Sequence, residues 1–102
     1  MAGKKHREKG ARFERSVVEA FNAFGMDAKR VPLSGAAAGF KGDVHFVCQG
    51  APRVAECKSR KAGFKVLREW LGDNDILAIK DDRTEPLIVM RLSDYCILAG
   101  QR

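Results

Sequence analysis

The sequence predicts a mixed α/β domain of the α+β kind, in which helices pack on a mixed sheet. Apolar residues recur every three or four positions in some segments, and in others they alternate with polar residues or form short runs. The chain has 102 residues, 45% of them hydrophobic, which is enough for one core and too little for two. The predicted order is α, β, β, β, α, β, β, α, in a single domain over residues 1–102.

The first predicted element is an amphipathic helix over 11–24, which ends at Gly25. Its apolar stripe consists of Phe13, Val17, Ala20, Phe21 and Phe24. Glu14 borders this stripe, one turn before Val18, instead of lying opposite it. We therefore expect the Glu14 carboxylate to point towards the body of the protein.

Three strands follow the helix, and the last two form a hairpin. They are predicted over 28–31, 43–48 and 53–58. A loop with three glycines, 32–42, separates the first two strands, and a turn at 49–52 joins the last two. Hairpin residues whose numbers sum to roughly 100 lie opposite each other, which places Asp43 beside Glu56 and Lys58.

The last third of the chain supplies two short helices and two apolar strands. One helix is predicted over 64–71, and the strands over 76–79 and 87–90. Ser93 is expected to cap a final helix that runs through Leu98. Trp70, in the first of these helices, suits either a dimer surface or core packing.

The charge balance favours a polyanionic partner such as nucleic acid. Lys and Arg number 19 against 13 Asp and Glu, a net charge of +6. Six basic and two acidic residues fall within residues 1–15, and the part over 1–9 is predicted to be a basic N-terminal tail. No apolar run is long enough for a membrane span or a signal peptide. These features predict an intracellular, cytoplasmic protein, and a viral origin is compatible with them.

The number and spacing of the cysteines bear on whether the chain has disulfides or a zinc site. Cys48, Cys57 and Cys96 are odd in number and form no C-x-x-C pair. This pattern argues against a disulfide framework and against a zinc site. We expect all three to be reduced and buried.

The residues best suited to catalysis or metal binding are Asp43, Glu56 and Lys58. Side chains two apart on a strand share a face, so Glu56 and Lys58 project together while Cys57 turns away. Two neighbouring carboxylates repel each other unless a hard cation such as Mg²⁺ lies between them. Such a site, with a lysine to orient or deprotonate water, suits phosphodiester hydrolysis. The alternative is an ordinary ion pair on a solvated sheet, the usual meaning of an isolated E-x-K pattern.

Five short segments are informative through their order. They are 9–15 (KGARFER), the helix end at 24–25 (FG), Arg30 with 32–35 (PLSG), 42–43 (GD) and 56–61 (ECKSRK). In this order they resemble the archaeal-type Holliday junction resolvases, which belong to the PD-(D/E)xK nuclease superfamily. The resemblance covers residues 9–61 closely and 64–80 more loosely. It implies a restriction-endonuclease-like core, in agreement with the predicted element order.

The resemblance also implies a role for each charged residue of the site. Asp43 and Glu56 match the metal ligands, with the backbone carbonyl of Cys57 as a further ligand, and Lys58 matches the catalytic lysine. Glu14 matches an acid that completes the metal site or holds a water molecule there. The implied cofactor is Mg²⁺, with Mn²⁺ as the alternative.

Further residues carry expectations about cleavage and DNA binding. Ser34 matches a serine that assists cleavage, and Arg15 and Arg30 match basic positions that face DNA. The full set predicted to bind DNA is Lys9, Arg12, Arg15, Arg30, Arg60 and Lys61. Two departures from the family pattern stand out. Gly42 replaces the proline that often precedes the first acid, and the helix after the E-x-K segment is shorter than the one that helps build resolvase dimers.

The expected function is that of a Mg²⁺-dependent endodeoxyribonuclease that cuts branched DNA, in particular a four-way junction, as a homodimer in DNA recombination and repair. A second hypothesis is another nuclease of the same superfamily that acts on DNA ends, single strands or foreign DNA. A third is a DNA-binding module without catalysis. The third is disfavoured because a protein that only binds phosphates gains nothing from clustered acids.

Overall fold

The computed structural model of the protein describes residues 2–31 and 43–100, with the backbone alone for residues 2–7. Over these residues, three helices and five strands follow each other in the predicted order. They are α1 (Ala2–Ala23), β1 (Lys29–Arg30), β2 (Val44–Cys48), β3 (Ala51–Ala55), α2 (Lys65–Leu71), β4 (Leu77–Ile79), β5 (Leu87–Val89) and α3 (Leu92–Ala99). The predicted α+β class and element order are confirmed.

The described strands form two antiparallel sheets, one of β1, β2 and β3 and one of β4 and β5. This division differs from the single mixed sheet expected from the sequence. Short connections require the antiparallel pairing of β2 with β3 and of β4 with β5, whereas the longer segment 31–43 joins β1 to β2. A parallel pair needs a crossover of a dozen or more residues, whereas only the segment 80–86 joins β4 to β5.

The β2–β3 hairpin has a tighter turn than predicted. Gln49 and Gly50 have φ angles of 55° and 74°, as a two-residue turn with two left-handed positions requires. Val44 lies opposite Ala55, close to the predicted alignment. Because the turn takes up two residues, β3 begins earlier than expected and ends at Ala55. The segment 56–58 therefore follows the strand instead of belonging to it, which corrects the predicted strand over 53–58.

Helix α1 begins much earlier than predicted and ends as predicted next to Gly25. The Gly25 φ angle is 76°, and the N–H groups of Gly25 and Met26 donate to the carbonyls of Asn22 and Phe21, both at 3.0 Å. This is the Schellman pattern, which satisfies carbonyl groups that a helix end leaves unpaired. The Met26 side chain, directly after it, is fully buried.

The main core lies between α1, the three-stranded sheet and α3. Its buried residues are Val17, Phe21, Met26, Ala28, Val44, Phe46, Cys48 and Cys96. The rings of Phe21 and Phe46 have centroids 4.5 Å apart, so helix and sheet meet through this aromatic pair. Phe13, at the N-terminal end of the predicted stripe, is 37% exposed and does not join the core.

The N-terminus of α3 differs from the expectation that Ser93 caps it. The helix begins at Leu92, and the N-cap position is Arg91, which makes no side-chain cap hydrogen bond. The Arg91 guanidinium instead donates to the carbonyl of Gly72 (2.6 Å) and to the carboxylate of Asp94 (3.2 Å). The start of α3 is thus fixed by a contact to a distant turn, which no local capping pattern reveals.

The cysteines agree with the expectation of reduced thiols. Cys48, Cys57 and Cys96 are free, with Cys48 and Cys96 buried and Cys57 half-buried. Trp70 on α2 is 60% exposed, so core packing is wrong for this residue. Within the described ranges, no helix combines the length and apolar character that a membrane span requires.

Gly100, directly after α3, lies close to Phe24, directly after α1. An added Cβ at Gly100 would lie 2.7 Å from the Phe24 Cβ and 2.5 Å from the Cys96 carbonyl oxygen. We expect Gly100→Ala to lower the free energy of unfolding by about 1–3 kcal/mol through overpacking. Urea unfolding followed by circular dichroism measures this change.

Gly10 on α1 supplies the matched control. A Cβ at Gly10 meets nothing within 4 Å, so Gly10→Ala is expected to raise the free energy of unfolding by about 0.5–1 kcal/mol. Equal effects of the two substitutions would contradict a close approach at Gly100.

Candidate active site

Asp43 lies where the three-stranded sheet ends, directly before β2. Its N–H donates to the carbonyl of Ala55 (2.9 Å), and its carbonyl accepts a hydrogen bond from the N–H of Val31 (3.0 Å). The backbone of Asp43 is thus held by both neighbouring strands. Because these hydrogen bonds fix the backbone of Asp43 on two sides, the position of its Cα and Cβ atoms is also fixed.

The Asp43 carboxylate reaches across to the chain that leaves β3. Its Oδ2 accepts a hydrogen bond from the N–H of Cys57 at 2.7 Å. Regular strand pairing ends at Ala55. Beyond that residue, this side-chain hydrogen bond connects the chain to the start of β2. It holds the segment 56–58 against the start of β2, as the predicted convergence of Asp43, Glu56 and Lys58 requires.

Glu56 and Lys58 project into solvent together. The Lys58 Nζ lies 3.5 Å from the Glu56 Oε2, and the side chains are 68% and 56% exposed, respectively. An exposed ion pair of this kind contributes little to stability. Glu56 can therefore leave Lys58 to bind a cation, and Lys58 can leave Glu56 to bind a phosphate, at a small cost in free energy.

Glu14 approaches the same place from α1, and it points inward as predicted. Its Oε1 accepts a hydrogen bond from the Arg30 Nε at 3.0 Å, and the Glu14 side chain is only 20% exposed. Arg30, which the resemblance assigns to DNA, is 31% exposed and forms this ion pair. Arg30 therefore orients Glu14, and its predicted contact with DNA stays a prediction.

Cys57 lies beside the candidate site, and its thiol responds to the charges there. Burial, followed by the negative charges of Asp43, Glu14 and Glu56, raises the pKa of the Cys57 thiol to about 11. The side chain packs against the main core. The thiol is neutral near pH 7 and is not a nucleophile.

The carboxylates of Glu14, Asp43 and Glu56 are the kind of ligand that a hard divalent cation prefers, but they are not arranged as a complete coordination site. No group of three or more His, Cys, Asp or Glu residues in the described ranges is close enough to hold a metal ion. Glu14, Asp43 and Glu56 each have one oxygen engaged, by Arg30, the Cys57 N–H and Lys58. Mg²⁺ is commonly bound by one or two carboxylates together with waters and substrate phosphates. Asp43 and Glu56 have the donor chemistry for this requirement, and the ligand roles of Asp43, Glu56, Glu14 and the Cys57 carbonyl stay predictions.

The remaining predicted residues are distributed around this site. Ser34 lies outside the described residues. Arg12 and Arg15 on α1, and Arg60 and Lys61 after the hairpin, are exposed, whereas Lys9 is half-buried. The Arg60 guanidinium carbon lies 5.8 Å from the centroid of the Phe64 ring. Their contacts with DNA stay predictions.

An apolar cleft beside Glu56 and Lys58 was missed by the sequence analysis. Its volume is about 650 Å³, and Phe13 of α1 and Phe64 before α2 both line it. The signal in the sequence was Phe13, which stands next to Glu14. That signal was overlooked because Phe13 fits the helical stripe and was assigned to the core.

Comparison with known proteins gives a match at the level of a family. A family model described as "Phage putative PDDEXK endonuclease" matches residues 5–101. This range contains Glu14, Asp43, Glu56 and Lys58. No curated protein and no solved structure matches the chain significantly.

The convergence of the acids on Cys57 is testable without any assay of function. Because the Asp43 charge raises the pKa of the Cys57 thiol, Asp43→Asn should lower that pKa and speed alkylation of Cys57 several-fold at fixed pH. The amide oxygen of Asn can still accept the Cys57 N–H. Iodoacetamide labelling between pH 8 and 11 in chelator, read by mass spectrometry, measures the rate.

Glu69→Gln is the matched control, because Glu69 is an exposed acid on α2 that is not among the charges acting on Cys57. An Asp43→Asn profile that coincides with wild type and with Glu69→Gln would show that Asp43 does not face the thiol.

Proposed function

The chain belongs to the phage PDDEXK endonuclease family, and from this membership we propose that it is a Mg²⁺-dependent endodeoxyribonuclease that cuts branched DNA. The family supports the nuclease superfamily that the motifs predict. It is not the archaeal-type resolvase family that the sequence resembles, so the four-way junction is our proposal. The observation that supports the proposal is the 2.7 Å hydrogen bond from the Cys57 N–H to the Asp43 carboxylate, which joins Asp43 to the segment that carries the Glu56–Lys58 pair. A phage family also favours a viral origin.

Asp43 and Glu56 are the residues that would hold the cation. A bound Mg²⁺ supplies positive charge to the phosphoryl oxygens and lowers the pKa of a coordinated water. The rigid member of this pair is Asp43, which the strands and the Cys57 N–H fix. The adaptable member is Glu56, whose exposed side chain can turn from Lys58 towards an arriving substrate.

Lys58 and Glu14 act on the phosphate and on water. The Lys58 ammonium, 3.5 Å from Glu56, can donate hydrogen bonds to a phosphoryl oxygen and orient the attacking water. Glu14 has one oxygen held by Arg30, and its other oxygen is able to accept a hydrogen bond from a water molecule in the site. Arg30 thus holds the Glu14 carboxylate in a fixed orientation.

DNA affinity is expected to come from phosphate contacts. The segment 57–68 contains five basic residues and no acidic one, and it begins at the active site. Exposed Arg12 and Arg15 add positive charge on α1, next to Glu14. Contacts of this kind carry no base sequence and weaken steeply with salt. Selectivity would therefore depend on DNA shape.

We also propose that the protein acts as a homodimer through the sheet of β4 and β5. Trp70, Leu87 and Ile88 are 60%, 63% and 55% exposed, and a two-stranded sheet is marginally stable by itself in water. Residues 73–94 contain six acids and three bases, so this apolar surface does not suit DNA. A second copy would cover it, and two-fold symmetry matches that of a four-way junction.

Cleavage of labelled four-way junctions tests the proposed activity. We expect paired nicks with Mg²⁺ and none with chelator. Asp43→Asn, Glu56→Gln and Lys58→Met should each lower the cleavage rate by at least about a hundredfold while junction binding is retained. Products are read at nucleotide resolution, and thermal unfolding checks the fold of each variant.

Glu69→Gln serves as the control with unchanged cleavage. Equal cutting of linear duplex or single strands would favour another nuclease of the superfamily. Binding without cleavage at any divalent cation would favour the non-catalytic module.

The dimer is tested by sedimentation velocity. Wild type should sediment as a dimer of 11.3 kDa chains, and Trp70→Ser combined with Ile88→Lys should give monomers, because both substitutions remove apolar area from the contact. Leu98→Ser, at a 73% exposed position on α3, is the control. A monomeric wild type would overturn the dimer and leave the nuclease proposal intact.

A further inference from the structure

The apolar cleft opens directly onto the candidate active site. Its volume of about 650 Å³ is within the range of sites for small organic groups, roughly 300–1,000 Å³. Its apolar lining includes Phe13, Val17, Phe21, Phe64, Leu67 and Leu71. Glu56 and Lys58 line the same cleft. A group bound here would lie next to any phosphate held by these two residues.

Two aromatic rings in the cleft are left accessible. Phe13 is 37% exposed and Phe64 is 39% exposed, whereas Phe21 is buried and packs on Phe46. Phe13 lies on α1 and Phe64 directly precedes α2, so the two rings come from different walls. Accessible rings of this kind offer flat apolar faces to a planar ligand.

The rim beside Phe64 is cationic. The Arg60 guanidinium lies 5.8 Å from the Phe64 ring centroid, and Arg68, one turn further on, lines the cleft. Arg91 also lines it, but its guanidinium is engaged with Gly72, Asn74 and Asp94. An anionic group would therefore bind at this rim, and a flat apolar group would fit the interior of the cleft.

A nucleotide combines both properties, and we propose that the cleft accepts one unpaired nucleobase of the DNA substrate next to the phosphate that is cut. This inference rests on the proposed function and names its substrate class. Bases inside a duplex are stacked and paired, so they cannot enter without being extruded, which costs free energy. An unpaired nucleotide at a branch point, bulge or flap enters without that cost. The cleft thereby selects DNA with an unpaired nucleotide at the cleavage position.

The expected recognition is tolerant of base identity. Stacking on aromatic rings is available to every base, because each has a flat face. The lining supplies apolar and cationic groups and few fixed polar groups that could distinguish one base edge from another. Replacing thymidine by adenosine in the unpaired position should therefore change affinity little.

The experiment compares two DNA ligands in chelator, so that chemistry plays no part. One is a labelled duplex with a short thymidine bulge, and the other is the perfect duplex with the same flanking sequence. Fluorescence anisotropy at fixed salt gives both affinities. We expect wild type to bind the bulged DNA about tenfold more tightly, and Phe64→Leu and Phe13→Leu to lose most of this preference.

Two further variants separate stacking from folding. Phe64→Tyr keeps a flat ring and should keep the preference, and Val66→Ala changes an exposed residue of α2 that does not line the cleft. Thermal unfolding establishes that all variants are folded. Equal affinity of wild type for both ligands would overturn the inference, as would an undiminished preference in both leucine variants.

Cleavage with Mg²⁺ distinguishes this inference from the proposed function. A cut at the phosphate adjoining the bulge supports both. Equal cutting of the bulged and perfect duplexes overturns the base-binding cleft and leaves the nuclease intact. Failure to cut any DNA, with the bulge preference present, overturns the nuclease and supports the cleft as a base-binding site.

Discussion

The hydrogen bond from the Cys57 N–H to the Asp43 carboxylate is the contact on which the site depends. Strand pairing between β2 and β3 stops at Ala55, one residue before Glu56, so the backbone alone does not hold the E-x-K segment. A charge-assisted bond of 2.7 Å has the strength to do so. It also directs one Asp43 oxygen at the backbone of the segment that carries Glu56 and Lys58.

The electrostatics of the site follow from this arrangement. Burial, followed by the negative charges of Asp43, Glu14 and Glu56, raises the pKa of the Cys57 thiol to about 11, and each of the three carboxylates has a compensating partner. Arg30 compensates Glu14, the Cys57 N–H satisfies Asp43, and Lys58 balances Glu56. The pairs differ in burial. The half-buried Glu14–Arg30 pair is fixed, while the exposed Glu56–Lys58 pair is exchangeable, so a cation and a phosphate can enter on one side without disturbing the other.

Two neighbouring segments of the chain differ in charge, which suits them to different partners. The segment 57–68 is basic, and residues 73–94 carry six acids against three bases. The first surface borders the apolar cleft and the acidic site, and the second carries the exposed side chains of Leu87 and Ile88. A polyanion is attracted to the first and repelled by the second, because like charges in water repel within a Debye length. Both proposed interactions, with DNA and with a second copy, follow this division.

Periodicity and motif order determined the α+β class, the succession of eight elements and the inward tilt of Glu14, because these depend on side-chain spacing along the chain. The tertiary structure decided the rest. Arg30 became the partner of Glu14, Arg91 fixed the start of α3 through Gly72, and β3 ended before Glu56. Phe13 and Phe64, from distant segments, line the same cleft. Such contacts join residues far apart in sequence, so their existence depends on how the elements pack and leaves no local pattern.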